Sequence, residues 1–289
     1  MKKFLNFAGV VITFVSLFFL YSKYSDLESQ GAIDVHQFSI PIFLSSALLY
    51  ILAVLLLCLS WRNILSSLSH HLRLKDALAI YGVSQIGKYA PGNFFHFIGK
   101  QILGVSYNVP SKKMVKSQFF ELVIQAISSF PFIIYLILNV YAGASDYLCV
   151  VAFFITIVTL LVLISWYKRR FAISFCLYFL FLVVCGSVFY SLLNGGYNLN
   201  YGVVKVITVI CAFSTAWFIG FIIPGAPAGI GVRESALIIF LIPLGIPENT
   251  ILECSLFFRL ISVFGDFCFF VFAFFLHILR KDVSRHDAA

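Results

Sequence analysis

Six stretches of this chain, Phe4–Tyr21, Ser39–Trp61, Ser117–Tyr141, Tyr147–Trp166, Phe171–Leu193 and Ile251–Leu279, are apolar almost throughout. Each approaches the 20 or so residues that an α-helix needs to cross the hydrocarbon of a bilayer. Runs of this kind leave few solutions, because backbone N–H and C=O groups facing lipid must be satisfied inside a helix or a closed barrel. The runs are continuous rather than alternating, so helices are expected. Composition agrees: 61% of residues are hydrophobic and 11% charged, where a soluble domain carries about a quarter charged. The expected fold class is an all-α, polytopic membrane protein.

Two further stretches, Leu74–Val105 and Val203–Ile246, are apolar but broken by Pro91-Gly92 and Pro224-Gly225. Proline removes a backbone donor and ends or kinks a helix. The charges between runs orient the whole. Lys2 and Lys3, then Arg62, Arg73 and Lys75, then Lys112, Lys113 and Lys116, then Lys168, Arg169 and Arg170, and finally Arg280, Lys281 and Arg285 mark one side. The positive-inside rule makes that side cytosolic. Asp26, Glu28 and Asp34 outnumber the single Lys23 in the first external loop. A segment with cytosolic loops at both ends crosses an even number of times or none. Leu74–Val105 is therefore expected to be a re-entrant hairpin, with a surface pair or two short spans as alternatives. Val203–Ile246 makes the same even excursion from the external side. One membrane domain over residues 1–289 is expected, in a bacterial cytoplasmic (inner) membrane, with both termini cytosolic and a tail at 280–289. The basic start and first apolar run read as a retained anchor, since "YSKYS" lacks the small-x-small pattern of a signal cleavage site.

The two broken stretches answer one another. In "APGNFFHFIGKQ" (Ala90–Gln101) and "IPGAPAGIGVRE" (Ile223–Glu234) a basic residue follows the proline at the same spacing, Pro91 to Lys100 and Pro224 to Arg233. Downstream, "FFELV" (Phe119–Val123) matches "FFRLI" (Phe257–Ile261). Two repeats are expected, residues 1–141 with hairpin 74–105 and residues 147–279 with hairpin 203–246, each with about three spanning helices. Because one starts in the cytosol and the other outside, they are inverted. Inverted repeats with interrupted helices characterise secondary transporters, which bind substrate near the midplane.

Several polar residues in these stretches then become candidates. Lys88, Lys100 and Arg233 supply positive charge, Gly92 and Gly225 permit a turn and close backbone approach, and Asn93 and His96 offer hydrogen bonds. Glu234 is either a site group or a local ion-pair partner of Arg233. Half-helix N-termini favour anions, so the expected ligand is an anionic lipid head group. Glu121, Arg259 and Asp266 are expected to form an intramembrane charge network. Glu121 and Arg259 occupy matching repeat positions with opposite sign, and Arg259 and Asp266 are seven apart, on one helix face. The plainer alternative is that Lys88 and Lys100 snorkel to the interface and that His96 is a packing residue. His70 and His71, in a basic loop, fit attraction to lipid head groups.

At these residues the chain resembles the transmembrane region of the lysylphosphatidylglycerol synthase/flippase family. "GKYAPGNFFHFIGK" and "PGAPAGIGVRESAL" are similar to that family's two Pro-Gly segments, and "FFELV" and "FFRLI" to the helix starts after them. The resemblance runs from about Phe4 to Leu279 and implies a lipid-translocating membrane domain with two re-entrant elements. It does not extend to the family's soluble aminoacyltransferase domain, so that transfer activity is not implied.

The net charge of +8 sits in inter-helical clusters, and no basic face with interleaved aromatics points to nucleic acid. The seven cysteines form no CxxC pair and no Cys/His cluster at zinc spacing, so neither a metal nor a cofactor is expected. The function expected is a flippase-like transporter of an anionic lipid, with membrane lipids and envelope-biosynthesis proteins as partners. A membrane-embedded transferase acting on a lipid phosphate and a non-catalytic envelope scaffold are the alternatives. The transferase would need an acid/base pair, and no motif joins His96, Glu121 and Glu234.

Overall fold

The computed structural model describes residues 39–89, 95–197, 203–223, 229 and 231–286. The expected anchor Phe4–Tyr21 and the candidates Gly92, Asn93 and Gly225 lie outside the described residues.

Helix α1 (Ile40–Ser67) opens with Pro41 in its first turn, where a missing N–H leaves no bond unmade. It ends where Ser69 takes a positive φ of 59° and His70 N–H returns to Leu65 O. Two short helices follow, α2 (Leu74–Gln85), continued by a 3₁₀ turn at Ile86–Tyr89, and α3 (Phe95–Ser106). Pro110 then starts α4 (Ser111–Leu136), which runs on as a π-turn at Ile137–Tyr141. After α4 come α5 (Asp146–Tyr167), α6 (Arg169–Tyr197), α7 (Val203–Ile222), α8 (Val232–Leu241) and α9 (Glu248–His286). Among the described residues there is no strand. The protein is an all-α, polytopic membrane protein, with six helices among the described residues long and apolar enough to cross a bilayer.

Helix lengths distinguish the two broken stretches. α2 and α3, 12 residues each, are about 18 Å long at 1.5 Å per residue, too short to span the roughly 30 Å of hydrocarbon. They pack side by side: a Cβ on Gly87 would lie 2.6 Å from the backbone N of His96, and one on Gly99 would touch Ser84. In the second stretch the arms are unequal. α7 has 20 residues and α8 has 10, about 30 Å and 15 Å. The uninterrupted apolar run "VVKVITVICAFSTAWFIGFI" explains why the first arm alone reaches spanning length.

α1 and α6 form the most extensive helix pair, and α9 lies against α2, α1 and α6. Small residues let α1 and α6 approach: Ser60 Oγ–H donates to Ser174 O at 3.2 Å, and Ser174 Oγ–H returns to Ser60 O at 3.1 Å. Without a hydrophobic drive between helices in lipid, such small-residue contacts and hydrogen bonds carry association. α5 stands at the rim, with almost none of its apolar length buried inside the protein. Phe154, Ile155, Val158 and Leu163 on α5, and Phe272 and Phe275 on α9, are more than half exposed, as lipid-facing residues are.

The inter-helical cations gather at one end of this bundle. Lys113 Nζ–H donates to Ser69 O and Lys168 Nζ–H to Ser67 O, both at 2.9 Å. Arg280 pairs with Asp76 at 3.5 Å.

Candidate functional site

The interior of the bundle holds a cavity of about 110 Å³, room for several waters or one phosphate-sized group. Elements from both broken stretches meet there: Lys88 after α2, His96 on α3 and Arg233 on α8 line it, together with Glu121 on α4 and Arg259 on α9. Its walls are otherwise aromatic, including Tyr50, Phe97, Phe213, Trp217 and Phe258. Glu121 lies about 15 Å along α4 from Ser111, and Tyr50 the same distance along α1 from Ile40, which sets the cavity well inside the helices rather than at their ends.

Charge at this depth costs several kcal/mol unless it is paired, and three pairs satisfy most of it. The first joins α3 to α4. Lys100 Nζ–H donates to Glu121 Oε2 at 2.7 Å. The hydroxyls of Tyr178 and Tyr81 also donate to Glu121 Oε1, at 2.9 and 3.2 Å. Lys100 is 2% exposed and its ammonium sits over the rings of Tyr81 and Trp61, at 4.2 and 5.4 Å, a favourable cation–π enclosure. Lys100 therefore faces its carboxylate and these rings and is not among the residues that line the cavity.

The second pair joins the end of α2 to α9. Lys88 Nζ lies 2.5 Å from Asp266 Oδ2, and Asp266, fully buried, also accepts from Tyr89 at 2.5 Å and from Tyr50 at 3.3 Å. Each of the two buried carboxylates thus takes one lysine and two tyrosine hydroxyls.

The third pair joins α8 to α9. Arg259 Nε–H donates to Glu234, and Arg259 Nη2–H donates to Gly229 O at 3.1 Å. Gly231, at φ 83°, turns its N–H onto Glu234 Oε2 at 2.8 Å. That left-handed conformation suits glycine and lets the carboxylate cap the start of α8.

These partners correct two expectations. Glu121 does not pair with Arg259: its side chain is taken by Lys100, because α4 packs directly on α3. Arg233 does not pair with Glu234, since consecutive helical residues point about 100° apart and Glu234 faces α9. Arg259 and Asp266 share α9 but pair with different residues, Glu234 and Lys88, so Glu121, Arg259 and Asp266 are three separate ion-pair members rather than one linked network.

What remains is Arg233. The cavity region holds four cations, Lys88, Lys100, Arg233 and Arg259, and three carboxylates, Glu121, Glu234 and Asp266, all three carboxylates paired with the other cations. Among the described residues Arg233 forms no ion pair, and its Nε is buried without a hydrogen-bond partner. Its guanidinium lies 5.3 Å from the Trp217 ring. Nδ1 of His96 and Nε2 of Gln125, from two other lining residues, are likewise buried and unpartnered. Of the five such atoms among the described residues, three belong to this one cavity.

Sequence inspection singled out Lys88, His96 and Arg233, which the cavity brings together, and missed Tyr50, Tyr81, Tyr89, Tyr178, Trp217 and Gln125. The signal was present for one of them: Gln125 interrupts an apolar run. No family model, curated protein or solved structure matches this chain.

Proposed function

We propose that this protein is a flippase-like transporter that moves an anionic lipid, such as a phospholipid, a polyprenyl phosphate or a lipid-linked envelope precursor, across the bacterial inner membrane. The observation that carries the proposal is Arg233: a guanidinium with a buried, unbonded Nε and no carboxylate partner among the described residues, beside a cavity around which four cations and three carboxylates sum to one net positive charge. A phosphate drawn into the cavity would supply the counter-charge that the Arg233 guanidinium lacks, with His96 and Gln125 as further polar lining residues. The aromatic walls suit the apolar part of a lipid entering between helices.

The two broken stretches act as the hairpins of two inverted repeats, residues 1–141 and 147–279, in this proposal, with α2–α3 as a re-entrant element. Support comes from their ion pairs: each stretch is tied to the long helix that follows it, Lys100 to Glu121 and Glu234 to Arg259. The cytosolic side is the end where the inter-helical cations gather. A transferase on lipid phosphate is less well supported, because Glu121, Glu234 and Asp266 are each held by a cation rather than poised as a general base.

Purified protein in liposomes carrying fluorescent lipids tests the proposal. Exchange of a labelled anionic lipid between leaflets is expected from the native chain and lost in Arg233→Ala. No exchange by the native chain across a panel of anionic lipids overturns it. Covalent product from a lipid phosphate without exchange points to the transferase, and neither result leaves a scaffold.

A further inference from the structure

A second concavity, remote from the central cavity, opens at the charged end of the bundle. It measures about 600 Å³ and is lined by Ser66, Ser67 and Ser69 at the end of α1 and by Lys168, Arg169 and Arg170 between α5 and α6, with His71 beside them. Among the described residues no carboxylate lines it. Two of its cations meet only neutral partners: Lys168 donates to Ser67 O at 2.9 Å, and Arg170 lies 3.5 Å from His71 Nδ1. Lys168 is extended (φ −161°) and closes α5, and α6 begins at the next residue. Phe171 and Ala172 N–H already bond to Lys168 O, at 2.9 and 3.4 Å, which leaves the backbone donors of Arg169 and Arg170 and the positive end of the helix to add to the side-chain charge.

The depth of this concavity is fixed independently. Trp166 and Tyr167, immediately before Lys168, are 85% and 67% exposed, and exposed Trp and Tyr at a helix end lie at the level of the head groups. A cationic concavity at that level meets lipid phosphates rather than bulk solute, and basic pockets between membrane helices hold anionic head groups. We propose that the concavity between the end of α1 and the start of α6 is a binding site for the phosphate of an anionic phospholipid, held as a resident lipid and separate from the transported one.

Native mass spectrometry of the full chain, released from nanodiscs of phosphatidylcholine with or without phosphatidylglycerol, tests this. The native chain is expected to retain phosphatidylglycerol in preference to phosphatidylcholine. The double variant Arg169→Ala/Arg170→Ala is expected to hold it roughly 25-fold more weakly, about fivefold for each cation removed near a membrane surface. Arg169→Lys/Arg170→Lys is expected to keep most of the retention, and the double alanine variant made in an Arg233→Ala background, where the central cavity has lost its cation, is expected to show the same further loss, which separates this site from the transport site. Equal retention by the native chain and the double alanine variant overturns the proposal, as does equal retention of the neutral lipid. Displacement of the retained lipid by inorganic phosphate alone also overturns it, in favour of a soluble anion. Circular dichroism of each variant shows that its helices are intact.

Discussion

Lys100 on α3 and Glu121 on α4 face each other at 2.7 Å, and Glu234 on α8 and Arg259 on α9 repeat that relationship with the signs exchanged. In the first stretch the base stands on the short helix and the acid on the long helix after it. In the second stretch the roles reverse. The exchange is what leaves Arg233 over, for the short helix α8 carries both an acid and a base while α9 uses only the acid.

The Lys100–Glu121 pair is expected to behave as a buried ion pair. Removing one member, Lys100→Ala or Glu121→Ala, leaves an uncompensated charge and costs about 3–5 kcal/mol. Replacing both with apolar side chains of similar volume, Lys100→Met with Glu121→Leu, recovers most of that loss. Thermal unfolding in one detergent across the four proteins checks the pattern, and a double variant as unstable as the singles refutes it.

Arg233 is expected to behave in the opposite way. With no ion-pair partner among the described residues to strand, Arg233→Gln leaves the melting temperature unchanged or raised. A hydrogen bond to a charged group is worth about 1.5–3 kcal/mol, so affinity for an anionic lipid falls roughly 10- to 100-fold. Lipid titration and thermal melting of the same preparation separate the two effects.

Asp266→Asn is expected to split binding from exchange. Lys88 loses its carboxylate and joins Arg233 as a second unneutralised cation at the cavity, so labelled anionic lipid is held more tightly while its exchange between leaflets slows. Parallel loss of both binding and exchange contradicts this.

Gly87→Ala is expected to be destabilising by about 1–3 kcal/mol, the cost of an overpacked site. The new methyl would lie 2.6 Å from the backbone N of His96, and backbone yields less readily than a side-chain tip. Gly143→Ala, with nothing within 4 Å of its Cβ position but a φ of 60°, serves as the contrasting strained-but-open site in the same melting experiment.

His70, outside the spanning helices, titrates below the usual histidine range, because of partial burial first and then the charges of Lys113 and His71. Its folded form therefore favours the neutral ring. The stabilising contribution is present above the unfolded value of about 6.5 and is lost as pH falls through that value toward the lower folded one. A ring titration by NMR is expected to show an upward shift in Lys113→Ala.

The spanning helices were legible because apolar length is a local property: Tyr147–Trp166 and Phe171–Leu193 reappear within α5 and α6. The membrane-depth charges were legible for the same reason, since Lys88, Glu121, Arg259 and Asp266 each interrupt an apolar run. Their partners were not. Whether Glu121 meets Arg259 or Lys100 depends on which helix faces touch, and repeat symmetry pointed to the wrong one. The tyrosines were hidden by their own duality, for Tyr50 and Tyr178 pass as apolar in any hydropathy pattern while their hydroxyls solvate buried carboxylates. The unequal arms α7 and α8 were obscured because the Pro-Gly break marks where a helix stops but not how far it has already run.

Arg259 and Asp266 stand two turns apart on α9, about 10.5 Å along one axis. Each tethers a different interrupted segment, α8 through Glu234 and the end of α2 through Lys88. A continuous helix transmits displacement along its length as a stiff rod. Tilting α9 thus pulls on both segments together, and neither can swing away from the bundle centre without straining the tether of the other.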